Sequence, residues 1–364
     1  MLRNSRVLLL IDQLGPGGAE RQLTYLASQL SNRSCEVRLL YFYPHDVFYS
    51  DILTKSGIKT ECFERAKNRI KRPFALAKEI RRWKPDAVIA YLDGTVMGAC
   101  LARILTKFNL IVSERNTTQS LTFRDRIKFN LYRIADSVVC NSFSQAEFIH
   151  QYYPNLKHKL HVITNMVDTD IFTPIIKYHK KKSQRSIPRV ITTARIARQK
   201  NVFRYLDAIA ILRDKGFNVH FDWFGTPEDN EYLAAVLSYK DTLNLNDYIT
   251  FHIGGSKDIV SEYRQSSHFC LPSLYEGFPN VLCEAMSCGL ICTASDVCDN
   301  PSILTDSSRR FDPTSVVNIA DTIAKSLQIS DSEVDYEGTL NRKMILKLCS
   351  PQTFTNKYLS LIEN

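Results

Sequence analysis

Short runs of apolar residues recur along the chain, and segments with helical spacing of apolar positions separate them. In the first half the runs are "VLLLID", "VRLLYF", "TECF", "AVIAYL", "LIVSE", "SVVCNS" and "HVITN". In the second half they are "RVITTAR", "HFDWFG", "ITFHIG", "HFCLPS" and "LICTAS". Runs that are apolar throughout, roughly 15–30 residues apart, read as parallel strands covered on both faces. Strand–helix alternation predicts a doubly wound α/β sheet. Two such series predict two Rossmann-like domains, which suits a chain of 364 residues.

A polar, basic stretch without periodicity, "IIKYHKKKSQRSIPR", follows "NMVDTDIFTP" (Asn165–Pro174) and reads as a linker. The expected division is 1–170 for the first domain, 171–188 for the linker and 189–350 for the second. The remaining residues, 351–364, are expected to form a helix returning to the first domain. Ligands of open α/β sheets bind beyond the carboxyl ends of the strands. Two facing domains would form a cleft there, and the chemistry is expected in it.

Composition narrows the class. No apolar run reaches about 18 residues, so no membrane-spanning helix is expected. The N-terminal "RVLLLID" lacks a small-residue cleavage site and reads as a first strand, not a signal peptide. The ten cysteines are scattered without a C-x-x-C pair, as free thiols of a reducing cytosol would be. Residues 1–170 hold 25 Lys/Arg against 16 Asp/Glu, whereas residues 171–364 hold 22 of each. The whole net charge of +9 therefore sits in the first half and points to an anionic partner for it.

Three segments carry candidate chemistry. In "LGPGGAERQ", Gly15, Gly17 and Gly18 precede a helix with Glu20 and Arg21 in its first turn. Glycines allow close backbone approach to a phosphate, and a helix start supplies unpaired N–H groups. The dinucleotide fingerprint G-x-G-x-x-G is not met, because Glu20 stands at the third glycine's place; a plain strand-to-helix turn fits equally. In "TTARIARQKN" (Thr192–Asn201), Arg195 and Lys200 lie between a strand end and a helix starting near Val202. Two cations there suit a diphosphate, although charged loops are more often merely solvated. In "LYEGFPNVLCEAMSCG" (Leu274–Gly289), Glu276 lies in a Gly/Pro-rich loop and Glu284 shortly after a helix start near Asn280. Both carboxylates are candidate acceptors for hydroxyls, with Glu284 favoured by the helix dipole. Their spacing does not by itself establish an acid/base pair.

Taken in this order, "GPGGAERQL", "ARIARQKN" and "PSLYEGFPNVLCEAMSCG" resemble the family 4 retaining glycosyltransferases of the GT-B fold. "NMVDTDIFTP" resembles that family's interdomain signature, so the likeness spans nearly the whole chain. "VSERNTT" (Val112–Thr118) resembles a branch that assembles bacterial surface polysaccharides. The resemblance implies transfer of a hexose or N-acetylhexosamine from a nucleoside-diphosphate sugar, UDP by the family's habit, to a lipid-linked or glycan acceptor. Arg195 and Lys200 would stabilise the departing diphosphate. Glu276 would hold hydroxyls of the transferred sugar, and Glu284 those of the ribose. Gly277, Phe278, Pro279, Asn280 and Val281 would line the sugar's pocket. Gly17 and Gly18 would offer backbone N–H groups to phosphate and acceptor, and Ile253 and Gly254 are candidates for the nucleobase. Many members carry a histidine after the fourth strand; here Asp93 occupies that stretch. Asp93, Glu114, Arg115 and Asn116 are the acceptor-side candidates.

No cofactor and no metal are expected. "DTD" (Asp168–Asp170) matches a metal-binding D-x-D pattern, but its place in the interdomain signature favours a turn. "RAKNRIKRPFALAKEIRRWK" (Arg65–Lys84) holds nine Lys/Arg and one acid, Glu79. Pro73 suits a helix start, and Leu76, Ile80 and Trp83 fall on one face. "FRDRIKFNLYRIAD" (Phe123–Asp136) is a second basic-aromatic helix. Solvated charges over an apolar inner side explain both; contact with the anionic inner face of the cytoplasmic membrane is the sharper expectation. Competing readings are a sugar-nucleotide epimerase of the same fold and an NAD-dependent dehydrogenase. For the latter the acid expected after strand two, Asp46, comes late. No nucleic-acid motif is present.

Overall fold

A computed structural model describes residues 5–44, 48–118, 120–174 and 187–363. Most of the stretch read as a linker, and Asp46, lie outside them. The chain divides into two compact units, Met1–Met166 with Pro351–Asn364, and Val167–Ser350.

The first unit runs β1 (Arg6–Ile11), α1 (Gly18–Ser31), β2 (Glu36–Tyr41), α2 (Ser50–Lys55), β3 (Lys59–Cys62), α3 (Arg72–Trp83), β4 (Ala87–Tyr91), α4 (Asp93–Leu105), β5 (Asn109–Glu114), α5 (Phe123–Leu131), β6 (Ser137–Cys140), α6 (Phe143–Tyr152) and β7 (Leu160–Val162). The second runs β8 (Arg189–Thr193), α7 (Val202–Asp214), β9 (His220–Gly225), α8 (Asn230–Thr242), β10 (Ile249–Ile253), α9 (Ile259–Gln265), β11 (His268–Leu271), α10 (Asn280–Ser287), β12 (Ile291–Ser295), α11 (Asn300–Ile303), β13 (Arg310–Phe311), α12 (Val316–Leu327) and α13 (Asp331–Cys349). Helix α14 (Pro351–Ile362) then joins the first unit.

Both sheets are parallel throughout, with strand orders β3-β2-β1-β4-β5-β6-β7 and β10-β9-β8-β11-β12-β13. The order reverses between β1 and β4 in one sheet and between β8 and β11 in the other. These switch points are where an open α/β sheet leaves a crevice at its carboxyl edge. The strands predicted from continuous apolar runs are all present. Among the described residues only β13 escaped prediction, because two residues carry no period.

Each sheet is buried on both faces. In the first unit Val7, Leu9 and Ile11 of β1 face one core and Leu8 and Leu10 the other. Helix α14 completes the former with Phe354, Tyr358 and Ile362. It is pinned by a Tyr358–Tyr91 hydroxyl pair at 2.7 Å and by Asn109 donating to the Leu361 carbonyl at 2.9 Å.

Candidate functional site

The carboxyl ends of β8 and β11 lie side by side in the second unit, and four predicted residues gather around them. Beyond β8 the chain makes one tight turn, Arg198–Lys200, before α7 begins at Val202. Beyond β11 it enters the loop that leads to α10. The two connections are tied together. Lys200 Nζ donates to Glu276 Oε1 at 2.5 Å. The Gln199 side chain donates to the Tyr275 carbonyl at 2.8 Å, and the Leu274 N–H to the Gln199 carbonyl at 2.9 Å. The basic turn and the acidic loop are therefore one structure.

Arg195 is exposed, two residues beyond the end of β8. Its position depends on Gly225. A Cβ there would lie 1.8 Å from the Ala194 carbonyl oxygen and 3.3 Å from Arg195 Cα. Only glycine lets the ends of β8 and β9 approach so closely. In the sequence Gly225 shows only as a glycine closing an otherwise apolar strand.

Glu276 is buried, and Ser273, fully buried, donates to the same Oε1 at 2.5 Å. Glu284 is buried in the second turn of α10, beyond the first turn where the helix dipole acts, which corrects the reason given for its placement. Tyr263 is close to it: burial first, and then the Glu284 charge, push that phenol well above its ordinary pKa. The Tyr263 hydroxyl also pairs with Thr193 Oγ1 at 2.5 Å. Of the loop residues, Phe278 turns its ring into the core with Leu271 and Leu282. Gly277, Asn280 and Val281 remain partly accessible, while Pro279 is buried.

At the end of β10, Ile253 is exposed, and Gly254 and Gly255 turn the chain with φ of +90° and +84°, which favours glycine. Beneath them a polar network joins three strands. Asp222 accepts from Arg189 Nε at 2.5 Å and pairs with His252 Nε2 at 2.6 Å, while the His252 ring stacks on Phe224 at 4.0 Å. Burial would raise the Asp222 pKa, but the bonds from Arg189 and His252 outweigh it and hold the carboxyl below its ordinary value.

The switch point of the first unit has its own residues. Gly17 caps α1 and Gly18 is its first residue. The Gly17 N–H is already spent on the Gly15 carbonyl at 2.9 Å. A Cβ on Gly17 would lie 1.9 Å from Glu20 Oε2, so the Glu20 carboxylate folds back over the turn, where burial raises its pKa. Gly18 faces open space. Gln22, one turn on, grips Met166 from both sides: its Oε1 accepts from the Met166 N–H at 2.7 Å and its Nε2 donates to the Met166 carbonyl at 3.0 Å.

Asp93 opens α4 and is held by Lys128 at 3.3 Å, Arg124 at 3.7 Å and Asn116 at 3.4 Å. Glu114 is fully committed to internal partners, which include Lys128 at 2.7 Å, the Tyr132 hydroxyl at 2.7 Å and the Asn116 N–H at 3.0 Å. It is a buried anchor, in contrast to its expected acceptor-side place. Arg115 lies over the Tyr91 ring at 4.9 Å and donates to Asn165.

The two basic segments separate into inside and outside. Arg72 and Lys128 are buried, contrary to a wholly solvated charge run. The other eight Lys/Arg of Arg65–Lys84 are exposed. Leu76 and Ile80 face the core as the spacing predicts, but Ile70 and Phe74 point outward, 82% and 65% exposed, as does Phe123 at 78%. "DTD" forms a turn, Asp168 Oδ1 accepting from the N–H groups of Asp170 and Ile171 at 3.2 and 3.1 Å. Among the described residues no cluster of three metal-ligating side chains exists, and no helix is long and apolar enough to cross a membrane.

Two family models cover most of the chain. Residues 16–171 match "Glycosyltransferase Family 4", and residues 176–338 match "Glycosyl transferases group 1". The chain belongs to the family 4 glycosyltransferases. The hydride-transfer and epimerase readings fall away with that membership. Among curated relatives, a Campylobacter jejuni alpha-1,4-N-acetyl-D-galactosaminyltransferase, named for a diNAcBac-PP-undecaprenol-linked substrate, is 27% identical over 77% of this chain and 76% of its own. The amylovoran biosynthesis glycosyltransferase AmsD of Erwinia amylovora is 24% identical over 82% of each chain. Among solved structures, a Rickettsia africae glycosyltransferase superposes with a TM-score of 0.85 at 15% identity, covering 100% of this chain and 98% of that one. Anabaena HepE in complex with UDP gives 0.83 at 17% identity, covering 98% and 99%. These likenesses establish the GT-B fold of this glycosyltransferase.

Proposed function

We propose that this glycosyltransferase moves a hexose or N-acetylhexosamine from a UDP-sugar to a lipid-linked or polysaccharide acceptor in surface glycan assembly, with retention of anomeric configuration. The observation that carries the reading is the joining of Lys200 to Glu276 across the β8 and β11 ends, with Arg195 exposed just past the end of β8. A cation bound to a carboxylate at the switch point supports this reading, because a sugar joined to a diphosphate needs both a phosphate partner and a hydroxyl acceptor. The acceptor class is supported by the names of curated relatives, which include undecaprenol-linked substrates and amylovoran biosynthesis.

In this reading Arg195 and Lys200 meet the charge that grows on the leaving β-phosphate, which stabilises the transition state more than the ground state. The bond from the sugar's anomeric carbon to phosphate oxygen breaks, and a bond to the acceptor oxygen forms on the same face. The acceptor's proton passes to the departing phosphate. Glu276 holds the transferred sugar, Glu284 the ribose, and Ile253 and Gly254 border the base. Gly18 and Asp93 serve the acceptor side. The two cations make a metal dispensable.

The exposed basic side chains of Arg65–Lys84, with Ile70 and Phe74 among them, and the exposed Phe123 at the start of α5, suit the anionic cytoplasmic leaflet. Apolar side chains enter the interface and each Lys/Arg adds about 1 kcal/mol. The test is a thermal-shift panel of nucleotide sugars with and without divalent metal, followed by mass spectrometry of products formed on undecaprenyl-diphosphate-linked sugars. Stabilisation by none of the nucleotide sugars would refute the reading.

A further inference from the structure

Ser273 and Glu276 hold a division of labour between two oxygens. Ser273 Oγ and Lys200 Nζ both reach Oε1, each at 2.5 Å. Two donors, one neutral and one charged, occupy that oxygen. No hydrogen bond to Oε2 is present among the described residues, and an ionised carboxylate carries acceptor capacity on each oxygen. Ser273 is fully buried at the end of β11, so a ligand cannot touch it. The loop beyond is held independently, by Gln199 on the Tyr275 carbonyl and the Leu274 N–H, so Ser273 is not needed to keep the loop in place.

We infer that Ser273 is a positioning residue that fixes the Glu276 carboxylate with Oε1 inward and Oε2 presented to a donor-sugar hydroxyl. Lys200 alone pulls the carboxylate along one direction and leaves it free to turn about its last torsion. The Ser273 hydroxyl, a second donor on the same oxygen, removes that freedom. The ligand of Oε2 is a hydroxyl of a pyranose ring, and the same atom sets which ring orientation is accepted. This rests on the donor reading above.

The experiment compares calorimetric binding of two probes: the nucleotide sugar that most stabilises the wild type in the panel, and its nucleoside diphosphate alone. Ser273→Ala should weaken nucleotide-sugar binding about tenfold, as loss of one charge-assisted hydrogen bond does. Binding of the nucleoside diphosphate should stay within about twofold. Ser273→Cys, of similar volume with a weaker donor, should fall between, and serves if the alanine variant does not fold. Equal weakening of both probes, or no weakening of either, overturns the assignment. Glu276→Gln separates the two layers. If it loses nucleotide-sugar affinity while Ser273→Ala and Ser273→Cys do not, only the role of Ser273 fails. If Glu276→Gln binds both probes as the wild type does, the donor reading of Glu276 fails with it.

Discussion

Arg72 and Asp12 form an ion pair, Nη1 to Oδ1 at 2.9 Å, that ties the first turn of α3 to the end of β1. The guanidinium is buried; it also donates to the Ala66 carbonyl at 2.8 Å and lies over the Phe42 ring at 4.2 Å. Helix α4 leaves room for it only because of two glycines. A Cβ on Gly94 would lie 2.9 Å from Asp12 Oδ2, and one on Gly98 2.7 Å from Arg72 Cδ. The pair sits directly before the turn that carries Gly15, Gly17 and Gly18. Arg72→Met leaves Asp12 without its partner, and we expect a loss of about 2–3 kcal/mol in urea unfolding. A variant as stable as the wild type would show that the pair is dispensable.

Lys128 is a further buried cation, with Glu114 as its closest partner. Burial alone would lower its pKa, but Glu114, Asp93 and Asp125 raise it above the ordinary lysine value. A raised lysine contributes stability below its unfolded pKa and loses it as pH climbs through the folded one. The loss therefore falls above about pH 10.4. Lys128→Met should cost about 3 kcal/mol near neutrality, because Glu114 is left buried without its counter-charge. The gap between variant and wild type should close only at the alkaline end of a chemical-denaturation series.

Asp222 shows the opposite sign. Its carboxyl is held below its ordinary value, so its stabilisation is present above the unfolded pKa and is lost as pH falls through the folded one. Asp222→Asn should lower the melting temperature at pH 7, and the difference should shrink below about pH 4. A difference that persists unchanged at pH 2 would rule out the ionised carboxylate as its source.

Gly225→Ala drives a methyl group into the Ala194 carbonyl, a backbone atom that cannot swing aside. Overpacking of this kind costs about 1–3 kcal/mol. Because the displaced backbone carries Arg195, nucleotide-sugar binding should fall beyond what the stability change explains. Normal affinity in a folded variant would detach Arg195 from the donor.

Replacing Phe74 and Phe123 by serine should reduce co-sedimentation with anionic liposomes. Replacing Lys67, Lys71 and Lys78 by glutamate should abolish the salt-sensitive part. Turnover of the nucleotide sugar in solution should remain. Liposome binding indifferent to both sets would place the membrane contact elsewhere.

The sequence by itself determined the two parallel sheets, because strands buried on both faces must be apolar throughout and their runs are visible without an alignment. It also marked the switch-point loops: glycines, basic turn and E-x7-E element stand at strand ends that the alternation locates. It could not say which charges go inside. Arg72 and Lys128 sit in basic runs that look uniformly solvated. Arg72 is buried through Asp12, sixty residues earlier, and the glycines on α4 make room for it; Lys128 is buried through Glu114. Nor does spacing show that Lys200 and Glu276, 76 residues apart, share one bond. Local pattern is set by neighbours in sequence, whereas pairing of charges is set by which strand ends the sheet order brings together. Only the tertiary structure decides that, because desolvating a charge is tolerable only where a partner stands ready.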